Sequence, residues 1–180
     1  MSVNSLKARL QPGSRHMSYG NAKPPAPRSP RIFRHNNDSE EDTYLRAPTA
    51  ANLFVKELLS LRNELGFLLL SYVIMPEHVH LILVPGPTAA LPKVMQHIKG
   101  RFARRFNRLT RAQGKVWQSR YYESIMRDER SLVAAVEYID QNPVVAGLAA
   151  DAFEYPYSSA SRSPDLEGYL SGEAMAAWPG

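Results

Sequence analysis

The stretch from Phe67 to Pro85, FLLLSYVIMPEHVHLILVP, consists of two strand-like apolar runs separated only by Met75, Pro76 and Glu77. That pattern predicts an antiparallel hairpin, ended by Pro85, Gly86 and Pro87. Side chains alternate between the faces of a strand, so His78 and His80 share one face while Val79 and Leu81 share the other. The spacing suits two imidazole ligands on one metal ion. On spacing alone, polar residues on a solvated sheet face are the simpler reading.

Helical patterns flank the hairpin. Leu53, Phe54, Leu58, Leu61 and Leu65 recur at helical spacing from Ala51, with Gly66 as a stop. A second helix is predicted from about Ala89 to Leu109, with Leu91, Met95, Ile98, Phe102, Phe106 and Leu109 on one stripe. VWQSRYYESIMR reads as a strand, and Asp128 can cap a third helix that runs to Asn142 and stops before Pro143. This order predicts an α+β domain, a ferredoxin-like antiparallel sheet with helices packed on one face, over residues 49–162. Residues 1–48 are rich in Pro, Ser, Asn and Arg and read as a flexible N-terminal arm; its GSRHM piece resembles an expression-vector scar. Residues 163–180 form a C-terminal tail.

The chain has no cysteine, so any metal must be held by nitrogen and oxygen ligands. It also has no apolar run of membrane-spanning length, and a cytoplasmic protein is expected. Lys and Arg outnumber Asp and Glu by 22 to 17. The distribution is more telling than the total. Between Gly86 and Tyr122 there is no acidic residue, while Lys93, Lys99, Arg101, Arg104, Arg105, Arg108 and Arg120 all fall there, as do Arg111 and Lys115. Such a segment suits a polyanion, with Trp117, Tyr121 or Tyr122 able to stack on an unpaired base.

In the third helix, Leu132, Ala135, Val136 and Ile139 define the buried face, and Tyr138 and Asn142 lie four residues apart on a neighbouring stripe. A phenol so placed can act as a nucleophile and the amide oxygen one turn later as a metal ligand, although helix tyrosines more commonly pack their ring and leave the hydroxyl wet.

The blocks YVIMPEHVHLILVP, LPKVMQHIKGRFARRFN, VWQSRYYESIMRDERSLVAAVEYIDQNPVVAGL and YPYSSA, in this order over roughly residues 52–162, closely resemble the REP-associated tyrosine transposases, a branch of the HUH single-strand DNA transposases. The resemblance implies that His78 and His80 bind a divalent cation, Mg²⁺ or Mn²⁺. It also implies that Asn142 assists them and that Tyr138 attacks a DNA phosphorus to form a 5′-phosphotyrosine link. The implied partner is single-stranded or hairpin DNA carrying REP-like palindromes. The protein would then be nucleoid-associated and bacterial, as a monomer or homodimer, with no membrane partner. Members of the family normally begin with a strand near the sheet centre, for which the only candidate before Ala51 is RIFRHNN.

Two other readings stand beside this one. The first is a catalytically degenerate regulator that binds hairpin DNA without cutting it. The second is a histidine-coordinated metal enzyme acting on small phosphoesters, against which the long cationic segment argues.

Overall fold

The computed structural model describes residues 30–36, 44–87, 89–117, 122–161 and 165–166. Arg120 and Tyr121, most of the expected arm and most of the tail lie outside the described residues. Four strands, β1 (Arg31–Asn36), β2 (Leu68–Ile74), β3 (His78–Val84) and β4 (Tyr122–Ile125), form one antiparallel sheet in the order β2-β3-β1-β4. Three long helices accompany it: α1 (Pro48–Leu65), α2 (Leu91–Thr110) and α3 (Glu129–Val145). The α+β antiparallel class expected from the sequence is the observed one.

The hairpin of β2 and β3 turns where expected, closed by a 2.8 Å bond from the Met75 N–H to the His78 carbonyl. RIFRHN is an inner strand: β1 pairs with β3 on one side and β4 on the other. The arm expected over residues 1–48 is corrected accordingly, since part of it completes the sheet.

Helices cover both faces of the sheet, which corrects the expectation of helices on one face. Val79, Leu81 and Leu83 enter a core with Phe54, Leu58 and Leu61 of α1 and Val94, Ile98 and Phe102 of α2. Ile82 and Val84 of the same strand, with Leu70 and Val73 of β2, enter a second core with Leu132, Val136 and Ile139 of α3. All seven residues of β3 are buried. Only the second half of the strand, LILV, is apolar at every position, as a strand covered on both faces requires.

Local chemistry sets the helix ends. α1 has Pro48 in its first turn and closes on Gly66, whose φ of 65° is the left-handed conformation glycine favours. α3 starts at a capping box, with the Asp128 carboxylate accepting from the Ser131 N–H at 2.7 Å. That bond holds the Asp128 carboxyl below its ordinary range. Contrary to expectation, α3 does not stop at Asn142 but runs through Pro143 to Val145. Proline removes a single donor, and here its ring is buried while the last turn closes with Ala146 N–H on Asn142 O and Leu148 N–H on Pro143 O.

The free edge of β2 is covered by YPYSSA. The Ile74 N–H donates to Tyr157 O, the Ser159 N–H to Tyr72 O, and the Tyr155 hydroxyl to Ile74 O at 2.8 Å. Further along, Asp165 accepts from the Leu69 N–H at 2.9 Å. A covered edge offers no template to another strand.

Candidate active site

His78 and His80 lie on the face of β3 that also carries Ile82, and so on the side of the sheet where α3 packs. The two imidazoles are edge-on with centroids 4.9 Å apart, and His80 meets the ring of Tyr138 in the same manner at 5.3 Å. His80 is therefore the middle member of a row from His78 to Tyr138. Both histidines are buried, whereas Tyr138 is 51% exposed.

Tyr138 reaches this position because Leu132, Val136 and Ile139 bury the adjoining stripe of α3 against β2 and β3. One turn later the Asn142 side-chain Nδ2 donates to the Tyr138 carbonyl at 2.6 Å. The amide is thereby oriented, and its oxygen keeps its lone pairs for another partner. Glu77 Oε1 is 3.7 Å from His78 Nδ1, beyond hydrogen-bond range, on a carboxylate facing solvent.

As a donor set, two neutral imidazoles and an amide oxygen suit a single divalent cation with positions left for substrate oxygens and water. Among the described residues no group of three or more His, Cys, Asp or Glu side chains converges to hold a metal. Any cation here would be held by these neutral ligands.

The structure brings three of the expected site residues, His78, His80 and Tyr138, into ring contact, sets Asn142 one turn after Tyr138 on the same helix, and leaves the cationic helix elsewhere. α2 lies on the opposite face of the sheet. Within it, Arg101 is engaged by α1 through Glu57 at 2.9 Å and both Glu64 oxygens at 2.7 Å, and Arg105 by Glu57 at 2.9 Å. Those bonds raise the Arg101 guanidinium pKa and hold the Glu64 carboxyl low. Lys99 is partly buried, which pushes its ammonium down. Lys93, Arg104 and Arg108 are exposed. The acids missing from the segment itself are supplied by α1, where Glu57 and Glu64 recur two turns apart.

Trp117 is not a surface platform. Its ring is buried against Phe54 and Phe102, and its Nε1 donates to Lys99 O at 3.1 Å. Tyr122, in contrast, is exposed.

The molecule is thus an α+β protein that presents a histidine pair and a helix-borne tyrosine on one face of an antiparallel sheet. It belongs to the IS200-like transposases: the family model "Transposase IS200 like" matches residues 47–142. The chain is similar to a REP-associated tyrosine transposase of Escherichia coli K12, 26% identical over 107 residues, covering 58% of this chain and 61% of that one. It is also similar to a Haemophilus influenzae protein provisionally given the same name, 29% identical over 106 residues, covering 53% and 60%. The matched part is about three fifths of the length of either relative. A solved REP-associated tyrosine transposase bound to a REP hairpin shares the fold, with a TM-score of 0.63 at 21% identity over 81% of this chain and 84% of that one.

Proposed function

We propose that this chain is a metal-dependent single-strand DNA endonuclease and strand transferase that acts at REP-type hairpins through Tyr138. The observation that carries the proposal is the half-exposed phenol of Tyr138 packed against His80, on the face that also carries His78. The similarity to REP-associated transposases supports the choice of substrate.

The Tyr138 oxygen attacks a backbone phosphorus and the bond to the 3′ oxygen breaks. The phenolic proton passes to solvent water, which reaches the half-exposed Tyr138, and the departing 3′ oxygen takes a proton from water. One phosphoester bond replaces another, so a later 3′-hydroxyl can reverse the step and join a new end without external energy. A tyrosine hydroxyl with an ordinary pKa of about 10 is a weak nucleophile at neutral pH and needs nearby positive charge.

His78, His80 and the amide oxygen of Asn142 would hold a divalent cation, Mg²⁺ or Mn²⁺, which when bound polarises the scissile phosphate as a Lewis acid. Imidazole donors suit Mn²⁺ better than the harder Mg²⁺. Lys93, Arg104 and Arg108, exposed on the far side of the sheet, would hold phosphates of a DNA segment that wraps around the domain rather than the one being cut. A DNA substrate of this kind sets the protein at the bacterial nucleoid.

The test is a denaturing gel of the protein with labelled hairpin DNA bearing single-stranded flanks, in Mg²⁺, in Mn²⁺ and in chelator, beside Tyr138→Phe. The expected result is a covalent adduct that needs metal and vanishes in the variant. An adduct that survives in Tyr138→Phe would reassign the nucleophile. Tight hairpin binding with no adduct under any metal would leave a DNA-binding regulator.

A further inference from the structure

The sheet places a second aromatic residue on the face of the proposed active site. In the backbone register, Val73 of β2 is paired with His80 of β3, His80 with Arg34 of β1, and Arg34 with Tyr122 of β4. Directly opposed residues in antiparallel strands project to the same face, so Tyr122 shares the face of His80. Two side-chain observations check this register. Ile32 and Ile82, also paired, enter the same α3-side core, and Arg31 and Glu123, on the alternate positions, form an ion pair with each other.

Tyr122 stands two strand spacings from His80, about 10 Å. α3 packs over β2, at the other side of this face, and Tyr122 is 75% exposed. Its strand is nevertheless fixed: Glu123 is held by Arg31, and the Met126 N–H donates to Pro30 O at 2.9 Å. A rigidly mounted phenol with open ring faces contributes little to the core. It is the kind of surface on which an unpaired base stacks, whatever its sequence.

We infer that Tyr122 is a stacking platform for an unpaired base of the strand held at Tyr138. The inference rests on the proposed reading of this site, because a strand cut at Tyr138 must be unpaired there and its neighbouring bases must be accommodated. With stacked nucleotides rising about 3.4 Å each, the base concerned lies within roughly three nucleotides of the scissile phosphate. Tyr122 is then a positioning residue for the cut.

The test is fluorescence anisotropy in the Tyr138→Phe background, with a labelled REP-type hairpin bearing single-stranded flanks and an abasic site walked along those flanks. Tyr122→Ala should weaken binding by about fivefold to a hundredfold, and Tyr122→Phe should bind within about twofold of the parent. One abasic position should cost the parent a similar factor yet cost Tyr122→Ala nothing further. That loss of sensitivity at one position is something a merely structural defect would not produce, and an unchanged melting temperature confirms the fold. Equal binding by Tyr122→Ala, or an abasic penalty of equal size in both proteins, overturns the inference, as does a parent protein that binds no single strand. If the wild type binds but forms no adduct, the nuclease reading fails while the Tyr122 comparison still gives its answer.

Discussion

The side-chain amide of Asn142 donates to the backbone carbonyl of Tyr138, one helical turn earlier, at 2.6 Å. The residue proposed to assist the cation is thus oriented by the residue proposed to attack. Asn142→Ala should weaken Mn²⁺ binding about 10- to 100-fold, the usual loss when a residue that supports a metal site is removed. Asn142→Asp adds a negative charge but sets a carboxylate oxygen against the Tyr138 carbonyl. It should therefore recover less affinity than its charge suggests. Titration calorimetry with Mn²⁺ on the two variants decides this, and a Asn142→Asp protein that binds Mn²⁺ more tightly than wild type would show that the orienting bond does not matter.

The arginines of α2 should separate by their partners. Glu57 is buried and held between Arg101 and Arg105. Glu57→Ala removes the buried carboxylate that joins the two guanidiniums, while Arg101 keeps Glu64 and Arg105 faces solvent, and should cost about 1 to 2 kcal/mol in urea unfolding. Arg104→Ala and Arg108→Ala should leave stability within about 0.5 kcal/mol of wild type. If they touch DNA, each should lower the slope of log affinity against log salt by roughly 0.7 to 0.9. Unchanged slopes in both would remove α2 from the DNA path.

Tyr155 provides a pH-dependent contribution. Burial, with Tyr157 and Glu77 nearby, pushes its hydroxyl up from 10.0 to about 12. The folded state therefore keeps a proton that the unfolded chain releases, so this stabilisation is complete below pH 10 and is lost as pH rises through about 12. Tyr155→Phe should cost about 1 kcal/mol at neutral pH through the lost bond to Ile74 O, and should flatten the decline in stability above pH 10. Urea midpoints at pH 7 and at pH 11 for both proteins measure it. Parallel losses between the two pH values would assign the alkaline transition to other groups.

Gly86 follows β3 where the chain passes the end of α1. A Cβ there would overlap the Gly66 carbonyl, which is backbone and cannot swing aside. Gly86→Ala should destabilise by about 1 to 3 kcal/mol in thermal or urea unfolding. Gly114→Ala, with open space around it but a φ of 106°, should be destabilised by backbone strain alone, which makes it a useful comparison.

Much of this was legible in the sequence, for reasons that differ by element. The hairpin was readable because Met75, Pro76 and Glu77 interrupt two runs that are otherwise apolar, and α1 and α2 because their apolar residues keep one helical stripe. His78, His80, Tyr138 and Asn142 were singled out by the resemblance of ordered sequence blocks to a known family, since their spacing alone left a solvated histidine pair and a packed helix tyrosine as the simpler readings. β1 was obscure because Ile32 and Phe33 are adjacent rather than alternating, so its strand character comes from pairing with β3 and β4. The face on which α3 packs was equally hidden, since a stripe such as Leu132, Val136 and Ile139 says which side of a helix is buried but not against which side of a sheet. The neutralisation of Arg101 and Arg105 could not be seen within α2 because Glu57 and Glu64 lie on another helix. The proximity of Tyr122 to the His80 row depends on register with β1, which composition does not encode.

The interior position of β1 also bears on how fast the molecule can form. The Arg31–Glu123 ion pair joins residues 92 positions apart, and the strand that carries Arg31 is the bridge between β3 and β4. The β2–β3 hairpin can assemble from local contacts, but β4 has no seat until β1 has closed a long loop onto β3. Such topology slows folding relative to a helical bundle of equal size. During synthesis β1 must therefore wait, unpaired, for the hairpin.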